Sequence, residues 1–205
     1  MENMQNNFHS IGLSLAPNSN HNSAICVLDN NKQIIHLDKL FFTDDIKLFF
    51  ENSPYVKNSV VVVSLPFDES LLDGKWRIHS KNYKMISELF EVNKNNWTNR
   101  INDRLKDLLL NLNKEKCQVF RCNINLLRQA YGLNPNYLEK TSLDCKSFQS
   151  GLKIKYGFNI MSDNLLPAAN LEAILCAMFA YDIKENKIQT KEIANYFGIK
   201  VLNKI

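Results

Sequence analysis

The sequence has little glycine and proline and no long apolar run. Six glycines and five prolines among 205 residues exclude collagen-like and low-complexity chains. No apolar stretch approaches the roughly 20 residues that cross a bilayer, and no cationic start precedes an apolar segment. We therefore expect no membrane span, no signal peptide and a cytoplasmic location.

The chain also lacks the spacings that mark metal and disulfide sites. Its five cysteines include no CxxC pair, and its four histidines form neither an HxH nor an HExxH motif. An odd number of cysteines in mostly apolar segments predicts buried, reduced thiols, and we expect no structural metal. The residues concerned are Cys26, Cys117, Cys122, Cys145, Cys176, His9, His21, His36 and His79.

The overall composition is that of an ordinary globular protein. Hydrophobic residues make up 45% of the chain and charged residues 22%, which predicts one domain over residues 1–205 with a flexible N-terminus at 1–9. The net charge is +4, and most of the 25 basic residues are lysines. This charge permits a nucleic-acid partner without requiring one.

The first half of the chain predicts strands followed by a helix. Residues 11–17, 23–29 and 33–42 resemble three consecutive strands of an antiparallel meander. Thr43 is a suitable N-cap for a helix over 44–53, which Pro54 would end. Four consecutive valines within 59–67 predict a central strand, buried on both faces and parallel to the first.

The second half predicts an excursion loop followed by more helices and strands. Residues 68–97 form the predicted loop, and a helix, a buried strand and a short helix follow at 101–112, 117–122 and 123–131. The stretch 132–164 gives no clear prediction. A largely buried, alanine-rich helix begins near Pro167, and the tail predicts a short helix, a break at Gly198 and a final strand over 199–202.

Three short segments resemble signature regions of one family. GLSLA (12–16), VSLPF (63–67) and LEAILCA (171–177) are similar to the GIDLA, IDAPL and DAxxxA segments of the predicted ribonuclease-H-like nucleases of domain-of-unknown-function family 429. The closing FGIKVLNK also resembles that family. The resemblance implies an α/β fold with a mixed sheet, three antiparallel strands followed by parallel strands, and helices on both faces. Holliday-junction resolvases and transposase cores share this fold.

The resemblance also implies where catalytic acids would lie. Nucleases of this fold hydrolyse phosphodiesters with two divalent ions, held by carboxylates on the first strand, the central strand and the last helix. The matching positions here are Ser14, Ser64 and Glu172, so two of three carboxylates are absent. We therefore expect no bound metal, unless Asp68 and Glu69 beyond the central strand, or the loop residues Asp73 and Asp163, act as substitutes.

Each of these three positions also has a purely structural interpretation. Glu172 would then cap a loop or pair with a lysine, although an acid within a buried helix makes it the best single site candidate. Ser14 and Ser64 would be small because the late helix packs over them. As functional groups, their hydroxyls would bind a phosphate or substrate oxygen.

A basic and aromatic segment lies within the excursion loop. Its composition suits contacts with a phosphate backbone and stacking on a base, although such clusters are common on exposed loops. Its residues are Lys75, Trp76, Arg77, His79, Lys81, Tyr83 and Lys84.

Three functions remain open from the sequence. The first is a ribonuclease-H-like domain that has lost catalysis and binds DNA, RNA or protein. The second is an active nuclease that uses Mg²⁺ or Mn²⁺ in a rearranged acidic site, and the third is a scaffold or oligomer subunit without nucleic acid. The sequence does not specify the oligomeric state.

Overall fold

A computed structural model describes most of the chain. The described residues are 9–16, 22–64, 76–78, 83–85, 108, 117–137, 140–158, 161–196 and 199–204. The predictions for the N-terminus before residue 9 and for the helix at 101–112, apart from Leu108, lie outside them. Leu108 itself is helical and buried. Within the described part of the chain, no helix is both long and apolar enough to span a membrane.

The elements follow one another in an order close to the predicted one. The first half contains β1 (Ser10–Ser14), β2 (Ser23–Leu28), β3 (Ile34–Leu40), α1 (Thr43–Asn52), β4 (Ser59–Ser64), β5 (Trp76–Ile78) and β6 (Tyr83–Met85). The second half contains β7 (Cys117–Cys122), α2 (Ile124–Ala130), α3 (Ser142–Tyr156), α4 (Ala168–Lys184), β8 (Thr190–Tyr196) and β9 (Ile199–Lys204).

Seven strands form one mixed sheet in the order β3-β2-β1-β4-β7-β9-β8. The meander of β1, β2 and β3 is antiparallel, and β4 pairs in parallel with both β1 and β7. These arrangements confirm the predicted sheet. Every residue of β4 is buried, as its run of valines predicts for a strand covered on both faces.

Helices cover both faces of this sheet. One core contains Ala24, Cys26 and Val62 of the strands together with α2, α3 and α4. The other contains Ile25, Val61 and their neighbours with α1 and Leu108. The predicted fold class, with helices on both faces, is therefore confirmed. All five cysteines are buried, also as predicted.

Helix α4 packs unusually close to β1 at Gly12. A Cβ atom on Gly12 would lie 2.0 Å from the carbonyl oxygen of Ala173 and 2.3 Å from the backbone nitrogen of Ala177. Only a glycine on the strand and small residues on the helix permit this approach. The contact fixes α4 along β1 and brings the N-terminal half of the helix to the end of the strand.

Two local predictions are wrong. Thr43 is the first helical residue rather than the N-cap, and the Asp45 carboxylate accepts a 3.2 Å hydrogen bond from the backbone N–H of Phe42. The predicted short helix in the tail is not found in residues 190–196, the part before Gly198 that the structure describes. Residues Thr190–Tyr196 instead form strand β8, because antiparallel pairing with β9 satisfies their backbone groups.

A helix and a small sheet add to the predicted arrangement. The stretch for which the sequence gives no clear prediction contains the 15-residue helix α3. Within the predicted excursion at 68–97, β5 and β6 form a separate two-stranded antiparallel sheet.

Candidate functional site

Ser14 and Glu172 meet where β1 ends against α4. The Ser14 hydroxyl donates a 2.7 Å hydrogen bond to Oε2 of Glu172, and both side chains are largely buried. Ser14 lies on the same face of β1 as Gly12, because side chains two positions apart point to the same side of a strand. The close approach of α4 at Gly12 therefore places Glu172 within reach of Ser14.

Ser64 is the neighbour of Ser14 in the sheet. The two serines are paired in the parallel register of β1 and β4, and Ser64 is also paired with Cys122 of β7. Ser64 is 5% exposed. Neighbouring strands lie about 4.8 Å apart, so the two hydroxyl-bearing residues are side by side at the carboxyl ends of their strands.

Lys140 provides the second partner of Glu172. Its ammonium nitrogen lies 3.4 Å from Oε1 of Glu172, so both oxygens of this carboxylate have a partner. The Lys140 side chain is about half exposed. The backbone of Lys140 has a φ of 63°, a left-handed conformation that is uncommon for residues other than glycine.

A buried ion pair supports the backbone of Lys140. Asp144 accepts hydrogen bonds of 3.1 and 2.7 Å from the two terminal nitrogens of Arg128, and its Oδ2 also accepts one of 2.9 Å from the N–H of Lys140. The Nε of Arg128 donates to the carbonyl of Leu133, and its guanidinium lies 4.2 Å from the ring centre of Phe148. This network holds Lys140 in its left-handed conformation beside Glu172.

These residues line a pocket that is partly open to solvent. The space within the pocket, counted together with the part that is open solvent, is about 280 Å³. Burial, followed by the nearby charge of Asp144, raises the pKa of the Cys145 thiol, so this thiol is protonated at neutral pH. The lining residues are Ile124, Asn125, Arg128, Lys140, Asp144, Cys145, Phe148, Ala168 and Glu172. Two carboxylates and two cations among them leave the pocket close to neutral.

No protein-family model matches the chain, and no curated protein matches it. Among solved structures, the chain is similar to RuvC from Thermus thermophilus, with a TM-score of 0.51 over 87% of this chain and 96% of RuvC. The chain has a ribonuclease-H-like fold. At 9% identity the similarity establishes the fold, and the chemistry has to be argued from the residues of the site.

The resemblance to ribonuclease-H-like nucleases implies a metal site, and the described residues do not fit one. Mg²⁺ is usually held by one or two carboxylates together with waters and substrate phosphates. Here Ser14 and Ser64 are neutral, and the carboxylate of Glu172 is shared between a hydroxyl and an ammonium group. Among the described residues, no three His, Cys, Asp or Glu side chains are grouped so as to hold a metal ion. The described residues therefore support no catalytic step through a metal.

Of the four acids that could substitute for the missing carboxylates, only Asp163 lies among the described residues. Asp68, Glu69 and Asp73 lie outside the described residues. Asp163 is fully exposed and accepts a 2.8 Å hydrogen bond from Lys153, which lowers the pKa of its carboxyl group. Its partner is therefore Lys153 rather than the site around Glu172.

Part of the predicted basic segment lies in the small sheet. Trp76 and Arg77 belong to β5, and Tyr83 and Lys84 belong to β6. Arg77 and Lys84 are paired in register, so two basic positions face each other across this hairpin. The remaining members, Lys75, His79 and Lys81, lie outside the described residues. The role of the segment in binding nucleic acid stays a prediction.

Sequence reasoning missed Arg128, Lys140 and Asp144. Thr141 and Asp144 have the spacing of a helix start, and the Thr141 hydroxyl does accept a 3.3 Å hydrogen bond from the N–H of Asp144. This signal was sufficient to locate the start of α3. The pairing with Arg128 depends on how α2 and α3 pack, which residue spacing does not reveal.

Proposed function

We propose that this chain is a ribonuclease-H-like domain that has lost the metal site of its fold and binds nucleic acid without cleaving it. The proposal rests on the contacts of Glu172. Its carboxylate accepts a hydrogen bond from the Ser14 hydroxyl and forms an ion pair with the Lys140 ammonium. The fold is a type that nucleases use. The similarity of this chain to RuvC supports nucleic acid as the partner.

The electrostatics of the site support the loss of metal binding. Two divalent ions lie about 4 Å apart in a two-metal site and repel each other strongly unless several carboxylates surround them. Here Lys140 contributes a positive charge 3.4 Å from the carboxylate of Glu172. A cation approaching Glu172 would have to displace this ammonium and the Ser14 hydrogen bond.

The short matches to domain-of-unknown-function family 429 support the same interpretation. Ser14 and Ser64 occupy the positions at which that family has acids, and the structure brings both to the carboxyl ends of adjacent parallel strands. We propose on this basis that the chain descends from an active nuclease. A cytoplasmic location is part of the same proposal.

An active nuclease with a rearranged site is the second candidate. Asp68 and Glu69 follow β4 by only a few residues in the sequence, and β4 ends at Ser64, which is paired with Ser14. Carboxylates supplied from this segment would restore part of the missing charge. A scaffold or oligomer subunit without nucleic acid is the third candidate.

A binding measurement in EDTA tests the proposed function. We expect labelled single-stranded DNA, duplex DNA or RNA to bind the purified chain, with an affinity that falls as the KCl concentration rises, because phosphate contacts release counterions. Replacement of Lys75, Arg77, Lys81 and Lys84 by alanine tests the predicted basic segment in the same assay. Absence of salt-dependent binding to all three nucleic acids would favour the scaffold.

A further inference from the structure

A cluster of lysines and tyrosines surrounds the C-terminal end of α4. Glu172 lies near the beginning of this helix, and Lys184 is its last residue. At a rise of 1.5 Å per residue, these two residues are about 18 Å apart along the helix. We call these residues the lysine–tyrosine cluster: Lys32, Lys184, Lys187, Lys204, Tyr131, Tyr156 and Tyr181. The cluster is separate from the site around Ser14 and Glu172.

Three lysines of the cluster are held over aromatic rings. The ammonium of Lys204 lies 3.9 Å from the ring centre of Tyr131, and that of Lys187 lies 4.6 Å from the ring centre of Tyr181. Lys32 lies 5.3 Å from the ring centre of Tyr156. Each contact places a cation against the negative face of a ring and limits the movement of the lysine.

Hydrogen bonds fix the three rings. The hydroxyl of Tyr131 donates a 2.6 Å hydrogen bond to Asp182, and the hydroxyl of Tyr156 donates to the backbone carbonyl of Tyr131. The hydroxyl of Tyr181 donates a 3.2 Å hydrogen bond to the carbonyl of Asn30. The lysines are therefore arranged on a rigid base, which reduces the entropy lost when they bind a partner.

Positive charge exceeds negative charge in the cluster. Asp182 accepts the hydrogen bond from Tyr131, and Glu185 lies 3.7 Å from Lys184. Asp29 is a third acid, because its carboxylate accepts hydrogen bonds from the backbone N–H groups of Asn31 and Gln33 on either side of Lys32. The cluster therefore has four lysines and three acids. Burial lowers the pKa of Lys32, the charge of Asp182 opposes this shift, and the charge of Lys187 adds to it. The proposal rests on the cation–π geometry of these lysines and not on this shift.

We propose that the lysine–tyrosine cluster is a second binding surface, which contacts the phosphate groups of a nucleic-acid backbone. The proposal rests on the proposed function, since it assigns part of the nucleic-acid binding to this end of the fold. The ring faces of Tyr131 and Tyr181 are covered by ammonium groups, so they do not serve as platforms for bases. Contact at this surface is therefore independent of base sequence.

Paired lysine variants test this surface. Lys187→Met and Lys204→Met together remove two charges and keep apolar stems against the rings, whereas Lys187→Arg and Lys204→Arg keep the charges. Lys39→Met and Lys146→Met provide a matched control, because both residues are exposed and lie outside the cluster. Thermal unfolding of all three proteins checks that they are folded.

The expected result is a change in both affinity and salt dependence. In EDTA and 50 mM KCl, the Met pair in the cluster should bind duplex DNA at least about tenfold more weakly, and the slope of log K against log[KCl] should become less steep by about 1.8. The Arg pair and the control pair should behave like the unmodified chain. An unchanged slope in the cluster variant overturns the proposal while leaving the proposed function intact.

Acylation of lysines tests the same surface on the unmodified chain. An amine-reactive acetyl ester with mass-spectrometric detection should modify Lys187 and Lys204 several-fold more slowly when duplex DNA is bound, and Lys39 and Lys146 at unchanged rates. Equal modification of Lys187 and Lys204 with and without bound DNA overturns the proposal. Protection by poly-glutamate but not by DNA would assign the surface to an acidic polypeptide and also overturn it. If the chain binds no nucleic acid at all, the proposed function fails together with this inference.

Discussion

The hydroxyl of Ser14 donates a 2.7 Å hydrogen bond to Oε2 of Glu172, joining residues that are 158 positions apart in the sequence. The two meet because α4 crosses β1 in close contact at Gly12. The resemblance described above implies a metal-binding acid at the position of Ser14. Here a direct hydrogen bond joins the two side chains.

Restoring the acids should restore a response to metal. We expect Ser14→Asp and Ser64→Asp combined with Lys140→Met to bring three carboxylates together and remove the competing ammonium. In EDTA the repulsion between the carboxylates should lower the melting temperature. Mn²⁺ at tenfold its Kd should then raise it by about 3 to 6 °C, as measured by differential scanning calorimetry.

The matched control carries neutral amides at the same positions. Ser14→Asn and Ser64→Asn with Lys140→Met have nearly the same shape and no added charge, so Mn²⁺ should leave their melting temperature unchanged. If the acidic variant responds to Mn²⁺ no more than the Asn variant, the three positions do not form the framework of a metal site.

Gly12→Ala should destabilise the fold severely. The added methyl group would lie 2.0 Å from a carbonyl oxygen of α4, so the helix must move away from β1. We expect a loss of about 3 kcal/mol or more in the free energy of unfolding, measured with urea. Gly151→Ala is the control, because its methyl group meets only the Leu133 side chain and alanine favours the helix. Equal effects of the two substitutions would contradict the close contact.

Asp144→Asn should remove the counterion of a buried cation. Arg128 is 5% exposed and would keep its charge, so we expect a loss of about 3 to 5 kcal/mol in the free energy of unfolding. The double variant Arg128→Met and Asp144→Leu should be less destabilised than the single variant, because no charge is left unpaired. Urea unfolding measures the stability of both proteins. The prediction is wrong if Asp144→Asn is more stable than the double variant.

Tyr131→Phe should change how stability depends on pH. Burial and the hydrogen bond to Asp182 raise the pKa of the Tyr131 hydroxyl above its ordinary value of 10.0. The stability contributed by this proton is therefore fully present below pH 10 and is lost as the pH rises further. At pH 8 the free energy of unfolding of the Phe variant should be lower than that of the unmodified chain by about 1.5 to 3 kcal/mol. Above pH 10 this gap should narrow by about 1.4 kcal/mol per pH unit.

Urea titrations at pH 8, 10 and 11 measure this gap. Tyr137→Phe is the control, since Tyr137 is exposed and should give the same stability as the unmodified chain at each pH. A gap between the unmodified chain and Tyr131→Phe that stays constant from pH 8 to pH 11 would show that the Tyr131 proton is not protected by folding.

The sheet was predictable because its strands have strong local patterns. The four valines of β4 and the apolar residues of β1 and β2 mark buried strands, and all of them are buried. Helix α3 was not predictable from its apolar pattern. Ile154 is 83% exposed, whereas Asp144 and Gln149 are buried, so its residues do not follow the usual division into an apolar and a polar face.

The candidate site was predictable only in part. Ser14, Ser64 and Glu172 were found through the resemblance, and the structure places them at adjacent strand ends and on the packed helix. The prediction that Glu172 would pair with a lysine, one of its two interpretations, agrees with its contact with Lys140. Which lysine would be involved depends on the left-handed backbone at residue 140 and on the buried network below it, and neither leaves a signal in the residue spacing.

A cleavage assay on the unmodified chain tests the loss of metal-dependent catalysis most directly. The purified chain is incubated with Mg²⁺ or Mn²⁺ and labelled branched DNA, single-stranded DNA or RNA, and the Glu172→Ala variant is assayed in parallel. We predict that the unmodified chain leaves all three substrates intact. Cleavage by the unmodified chain that disappears in Glu172→Ala would contradict the account and identify an active nuclease with a rearranged acidic site.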